Sequence, residues 1–269
     1  EEQKRHFLPR IASGEFSFAI GMSEPDAGSD LASVRTRAVQ VDGGWVLNGT
    51  KIWTSGAAEA THLLGLFRTS EDRYRGLTQL IVDRNVEGLT ASPIPFIDGT
   101  RHFCEVSFED VFVPDSMRLG DVGAGWGQNT AELVLERGGV DRWMSVMPVL
   151  AHWAENLSGA VPGWAQAELG SVIARCWGFH GLSLSIARAV DRGESPTVEA
   201  ALAKEMATRF EQECIEIVLR HFGRTPELTS SDPYESLLAR AVLTGPAFTI
   251  RGGTTEILRN IIAKALVKP

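Results

Sequence analysis

From Phe16 to Pro114 the apolar positions fall in short runs that often alternate with polar ones and are rich in β-branched and aromatic residues. The runs SFAIGM (17–22), RTRAVQV (35–41), GWVLNGTKIWTS (44–55), HLLGLFR (62–68), LTQLIVD (77–83), GLTASPI (88–94) and FCEVSFEDVFV (103–113) predict strands. Turn signals such as Asp42-Gly43-Gly44 and Asn48-Gly49 punctuate them. This is the pattern of a small antiparallel barrel or sandwich of about 100 residues. A glycine-rich tract, VGAGWGQ (122–128), reads as a connector and a domain boundary. Beyond it the spacing is helical. Leu133, Val134 and Val140, continued by Met144, Met147 and Leu150 toward His152, stripe a first helix. Leu169, Val172, Ile173, Cys176, Phe179 and Leu184 stripe a second. A third carries Val198, Leu202, Met206, Phe210, Ile217 and Val218, and a last one Ile257, Ile261 and Ile262. Loop signals fall at 158–163, 192–196 and 224–233, so the helices pack as an antiparallel four-helix bundle. The fold class is α+β, with a β domain over 16–121 and a helical bundle over 122–269. Residues 1–15, beginning EEQKRHFLP without a leading cap, read as the last turns of a helix, so that the sequence opens in mid-domain.

Composition narrows the function classes. The 269 residues are 43% hydrophobic and 22% charged, with mean hydropathy −0.04, which fits a globular chain and not a disordered one. A net charge of −8 argues against nucleic acid, whose phosphates need a surplus of Lys and Arg on one face. No apolar run is long enough for a membrane span, and the N-terminus lacks a signal-peptide core. The three cysteines, Cys104, Cys176 and Cys214, are widely spaced and odd in number, matching neither a disulfide framework nor a metal site. A reducing cytoplasm follows as the expected compartment.

Three clusters carry candidate chemistry. GMSEPDAGSD (21–30) concentrates small residues, hydroxyls and a proline, presenting N–H and Oγ donors to something planar or anionic, or else forming an ordinary turn. KIWTSGA (51–57) sets a tryptophan before two hydroxyls at a strand end, suited to stacking on a ring with donors at its heteroatoms, or to a core. RGGTTE (251–256) joins close-approach glycines to a capping threonine at a helix start, suited to a phosphate or carbonyl oxygen, though a plain helix cap has the same form. The Gly123-x-Gly125-x-Gly127 run lacks a βαβ setting and implies no Rossmann domain.

Taken together, SEPDAGSD, KIWTSGA, FCEVSFEDVFVP and RGGTTEILRNIIAKAL resemble, in order and over nearly the whole chain, the acyl-CoA dehydrogenases. The resemblance implies FAD at a subunit interface and an acyl-CoA substrate, and it implies that residues 1–15 are the end of an N-terminal helical domain otherwise largely absent here. Met22 and Ser23 would meet the pyrimidine edge of the flavin, and Trp53, Thr54 and Ser55 would flank the ring near N5. Gly28 and Ser29 complete the cofactor loop, with Ser29 also on the pantetheine or a phosphate. Thr254 and Glu256 would reach the cofactor from the C-terminal side, and Gly252 and Gly253 would adjoin the substrate. The implied reaction is α,β-dehydrogenation, in which a carboxylate takes the Cα proton while hydride leaves Cβ for N5.

In many relatives that base precedes the final Gly-Thr, the place held here by Gly252. Others carry it in a Glu-Arg pair on the first long helix, which matches Glu136-Arg137. Glu136 follows apolar Leu133, Val134 and Leu135, and the bland alternative is a solvated helix residue paired with a neighbour. Two family features do not match. An arginine after the first long helix is replaced by HWAENLS (152–158), and a glutamine before a Gly-Gly turn by LRHFGR (219–224). Both normally clamp the neighbouring subunit's FAD. The loss resembles the heteromeric actinobacterial enzymes acting on sterol side-chain thioesters, so a homotetramer or a heterotetramer with a paralogous subunit is expected, with an electron-transfer flavoprotein as acceptor. The open space at Gly252 suits a bulky substrate. The alternatives are a non-catalytic paralogue completing a partner's site, and an acyl-CoA oxidase.

Overall fold

The computed structural model describes residues 1–157 and 162–267. The chain divides into two compact units, Glu1–Thr130 and Ala131–Pro269.

In the first unit, α1 (Glu2–Ala12) precedes β1 (Phe18–Gly21), β2 (Arg37–Val41), β3 (Gly44–Ser55), β4 (His62–Arg68), β5 (Leu77–Asp83), β6 (Leu89–Ile94), β7 (Phe103–Pro114) and β8 (Arg118–Leu119). The strands form one sheet in the order β6-β7-β3-β2-β4-β5-β8, with β1 on β4. Alternation does what the sequence predicts on β3 and β7. Trp45 and Leu47 face inward with Val106, Phe108, Val111 and Val113, while their neighbours face out. Phe67 of β4 closes this core edge-on to Phe108 at 5.4 Å. Strand β5 is buried from Leu77 through Val82, which explains its unbroken apolar run. Phe7 of α1 buries against Phe16, Phe18 and His62.

Two details differ from the sequence expectation. The sheet is not wholly antiparallel, because β1 runs parallel to β4 and β2 meets β4 in parallel at Arg37 and Arg68. A long excursion through the 21–34 loop lets β1 and β4 point the same way. Asn48-Gly49 is not a hairpin turn either. It is a bulge within β3, where the register with β7 shifts, and Asn48 bonds to Asp110 with both its side-chain oxygen and nitrogen.

Helix α2 (Gly125–Gly138) starts inside the glycine-rich tract, which is therefore not all connector. The second unit continues with α3 (Asp141–Met144), α4 (Met147–Asn156), α5 (Gly163–Asp191), α6 (Thr197–Phe222), α7 (Pro233–Thr244) and α8 (Thr255–Val267). The first predicted helix is thus three. Gly138 must be glycine because a Cβ there would lie 2.6 Å from Ile186 Cγ2, and the Gly138-Gly139 step and Pro148 at the start of α4 interrupt the helix. Helix α7 lies where the sequence predicts none. The loop signal at 158–163 falls mostly outside the described residues. Helix α6 is the hub, in contact with α3, α4, α5, α7 and α8. Its buried face combines Phe210, Cys214 and Val218 with Lys204, Glu205 and Glu211, against Trp143, Trp153, Val172, Phe179 and Leu238. No described helix is long and apolar enough to cross a membrane.

The start of α7 is held by charge. Glu235 accepts from both terminal nitrogens of Arg224, from the Ser230 hydroxyl and from the Glu227 N–H. These bonds, Arg224 first, hold its carboxyl down from the usual 4.5 to about 2. A carboxyl with a folded-state pKa below its unfolded one stabilises the fold above the unfolded value and loses that contribution as pH falls through the folded one. Stability is therefore expected to decline from pH 4.5 toward 2, and Glu235→Gln to flatten that decline in acid titrations followed by circular dichroism.

Candidate functional site

In the first unit the site begins where β3 loses register. Its pairing with β7 slips between Lys51 and Thr54, and the residue in the slip, Trp53, has φ of 59°. A bulky side chain in the left-handed region costs roughly 1–2 kcal/mol and persists only where the surroundings enforce it. The bulge turns Trp53 outward, 52% exposed, edge-on to Phe96 and Phe103 at 6.4 and 6.2 Å. Thr54 points the other way and is fully buried, its Oγ1 without a hydrogen-bond partner. Ser55 is again exposed. The exposed Trp53 ring, with the Ser55 hydroxyl on the same side of the strand, is of a kind that fits a planar heteroaromatic group such as a flavin, while the unpartnered Thr54 hydroxyl lies on the opposite, buried side.

The 21–30 loop is bolted to this bulge by three bonds. Lys51 Nζ donates to the Met22 carbonyl at 3.1 Å and to Glu24 Oε1 at 2.8 Å, and the Ile52 N–H donates to the Ser23 carbonyl at 2.9 Å. Glu24 also accepts from the N–H groups of Arg35 and Thr36. Burial pushes the Lys51 ammonium down to about 8 against the pull of Glu24. Burial alone would raise Glu24, but Lys51 and the N–H donors outweigh it and hold the carboxyl below its usual value. A tight turn, with reciprocal backbone bonds between Glu24 and Ala27, then delivers Gly28 and Ser29, both exposed. The half-buried Met22 side chain packs beside Ala27, Val34, Leu66 and Leu77. The sequence clusters 21–30 and 51–57 are therefore one structure. The buried pair that joins them, Lys51 with Glu24, was not singled out from the sequence. Its signal is a lysine at an inward position of an alternating strand.

In the second unit the 251–256 cluster forms a glycine turn into α8. Gly252 and Gly253 have φ of 65° and 99°. The turn is held by cations: Arg137 Nε donates to the Gly252 carbonyl at 2.9 Å, and Lys204 Nζ to the carbonyls of Gly253 at 3.0 Å and Phe248 at 3.2 Å. Burial, then Arg142, Arg251 and Arg137, push Lys204 down to about 8. Thr254 caps α8 by accepting from the Ile257 N–H at 3.4 Å. The exposed Glu256 turns to its own N–H and to the Thr254 hydroxyl, which lower its carboxyl. Beside this turn stands Glu136. Its Oε1 accepts from Arg142 Nη2 at 2.5 Å, and an ideal Cβ on Gly252 would lie 3.1 Å from that same Oε1. The apolar neighbours do not enclose the carboxylate. It is 39% exposed, among cations, and one turn back burial and then the Glu136 charge raise the carboxyl of Glu132.

Residues 19–111 match the acyl-CoA dehydrogenase middle domain, and residues 160–267 match the acyl-CoA dehydrogenase C-terminal domain. Acyl-CoA dehydrogenase FadE34 of Mycobacterium tuberculosis is 33% identical over 99% of this chain, which spans only 37% of that protein. FadE26 of the same organism is 32% identical, with 97% of this chain and 70% of that protein covered. Among solved structures, the Tcur3481-Tcur3483 steroid ACAD G363A variant superposes with a TM-score of 0.88 at 29% identity, covering 100% of this chain and 73% of that one. The chain belongs to the acyl-CoA dehydrogenase family. Its α+β fold is that of the family, as the sequence predicts.

Proposed function

We propose that the chain is a subunit of an FAD-dependent acyl-CoA dehydrogenase of fatty-acid or steroid degradation, with Glu136 as the base that removes the Cα proton of the thioester. The observation that carries this reading is the Glu136 carboxylate beside the glycine turn at 252, where a Cβ would lie 3.1 Å from Oε1. Oε1 is held by Arg142, and Oε2 has no hydrogen-bond partner among the described residues. A positioned carboxylate with a free oxygen can accept a proton, and glycine at 252 puts no side chain against it. Bound FAD would supply the hydride acceptor for the β hydrogen. The residues proposed to hold the cofactor are Met22, Ser23, Gly28, Ser29, Trp53, Thr54 and Ser55, together with Thr254 and Glu256. Ser29 and the backbone of Gly252 and Gly253 would bind the thioester and its pantetheine.

A heteromeric assembly is part of the proposal. The basic residues of the two segments that lack the family's clamp are spent inside the second unit. His152 stacks on Tyr234 at 3.9 Å, Arg220 and His221 both bind Glu168, and Arg224 binds Glu235. A paralogous subunit would complete the flavin site, as the paired name of the Tcur3481-Tcur3483 steroid ACAD suggests. A sterol side-chain thioester is then the substrate class, and an electron-transfer flavoprotein the acceptor. The ion pair of Glu136 with Arg142 favours one other reading, a non-catalytic subunit whose carboxylate serves only the fold.

Expression of the chain alone and with its paralogous partner tests the proposal. Little FAD alone, stoichiometric FAD in the complex and anaerobic bleaching of the flavin by acyl-CoA are expected. Full FAD content and activity in the lone chain would remove the heteromer. No bleaching in any assembly would remove the dehydrogenase. Trp53→Gly is a finer probe: it relieves the left-handed strain and loses only a half-exposed ring, so thermal stability is expected to hold or rise while FAD affinity falls. A parallel loss of stability would make Trp53 a structural residue.

A further inference from the structure

Arg142 is 10% exposed in its side chain and makes two bonds to one residue. Nη2 donates to Glu136 Oε1 at 2.5 Å and Nε to the Glu136 carbonyl at 3.0 Å. The fork therefore fixes both the side chain of Glu136 and the last turn of α2, across the break at Gly138-Gly139. Asp141 Oδ2, 3.3 Å from Arg142 Nε, holds the guanidinium from its own helix. The same group bounds the glycine turn, since a Cβ on Gly252 would lie 3.6 Å from Arg142 Cζ. We infer that Arg142 is the positioning residue for Glu136, orienting the carboxylate so that Oε2 alone is presented to substrate. This rests on the reading of Glu136 as base.

The physical case is one of geometry. A glutamate on a helix surface has three rotatable bonds, and an exposed one samples several rotamers. A planar guanidinium bonded to both its carboxylate and its carbonyl removes that freedom, which a point-charge ammonium does not. Misplacement of a reacting group by about 1 Å can cost on the order of 100-fold in rate. The charged groups that act on Glu136 are Glu132 and Arg137 on α2, Arg142 on α3 and Lys204 on α6. Because other cations remain, removing Arg142 is expected to disturb orientation more than charge.

The test compares Arg142→Gln and Arg142→Lys in the assembled holoenzyme, with Glu136→Gln as reference. Arg142→Gln is expected to lower kcat by about 10- to 100-fold with KM changed less than about threefold. Arg142→Lys should return only part of kcat, because it restores the charge without the fork. Carbon-13 NMR of the Glu136 side chain at one fixed neutral pH gives a readout independent of turnover, and its signals should broaden or shift in Arg142→Gln as the released side chain samples several rotamers. Unchanged kcat and an unchanged Glu136 signal would overturn the inference. If Glu136→Gln keeps full turnover, the base assignment fails instead, and the NMR signal alone decides whether Arg142 orients the carboxylate. If Arg142→Gln does not fold, Arg142→Lys carries the test, and wild-type kcat in that variant overturns the role of the fork.

Discussion

Glu136→Gln is expected to lower the rate of flavin reduction in the assembled enzyme by roughly 10²–10⁴-fold, the range that a positioned general base contributes. Glutamine keeps the shape of the side chain, and its amide oxygen still accepts from Arg142, so the break between α2 and α3 keeps its fastening. The exposed position limits the stability cost to about 1 kcal/mol or less, the scale of partly solvated ion pairs. The variant should therefore bind FAD and acyl-CoA normally while failing at the chemical step, so that kcat and kcat/KM fall together. Exchange of the substrate α hydrogen with deuterated solvent isolates the proton step from the redox step, and it should be lost in Glu136→Gln. Wild-type turnover in this variant would transfer the role of base elsewhere and favour the non-catalytic reading. Glu132, one turn back with its carboxyl already raised by burial, would be the first residue to test.

How much of this was legible in the sequence depended on whether the signal was local. Alternation on β3 and β7 and the apolar run of β5 predicted strands because one or both faces of each are buried, and a period-2 or unbroken pattern records that directly. Asn48-Gly49 misled because the same dipeptide that closes a hairpin also tolerates a bulge, and only pairing with β7 distinguishes the two. The helical stripe through Leu133 and Met147 looked continuous by spacing, but the breaks at Gly138-Gly139 and Pro148 change the buried face, so that Val140 and Met144 of that stripe are exposed and Trp143 and Val146 are buried instead. Helix α7 lay hidden behind loop signals that in fact belong to the Arg224 to Glu235 linkage before it. The clusters of the candidate site were visible as composition, but their fastening was not. Lys51, Glu24, Lys204 and Arg142 are charged residues, which a sequence alone places at the surface. Lys51 and Glu24 meet across 27 residues, and Lys204 meets carbonyls 44 and 49 residues on, whereas Arg142 is held by Glu136 only six residues back, across a helix break that its sequence neighbours do not announce.

The buried lysine of the first unit gives the second large effect. Lys51→Met is expected to destabilise that unit by about 3–5 kcal/mol, because it leaves the buried Glu24 carboxylate facing the Met22 carbonyl with no cation. The N–H donors of Arg35 and Thr36 place the cost toward the lower end. Since Lys51 is also what ties the 22–24 backbone to β3, FAD affinity should fall in parallel. The double variant Lys51→Met/Glu24→Gln should recover part of the stability, because the stranded charge is gone, but not the FAD affinity, because the tether to the Met22 carbonyl is still missing. Recovery of both would mean that the pair serves stability alone. The pH dependence has its own sign. The folded-state value of Lys51 is about 8 against an ordinary 10.5, so across that window the unfolded chain keeps a proton that the folded chain has released. Stability then rises with pH between 8 and 10.5. Lys204, held at about 8 for similar reasons, adds a like slope from the second unit. Urea denaturation across this window should therefore show a shallower slope in Lys51→Met without abolishing it, and an unchanged slope would mean that Lys51 stays charged throughout and that its ion pair with Glu24 outweighs its burial.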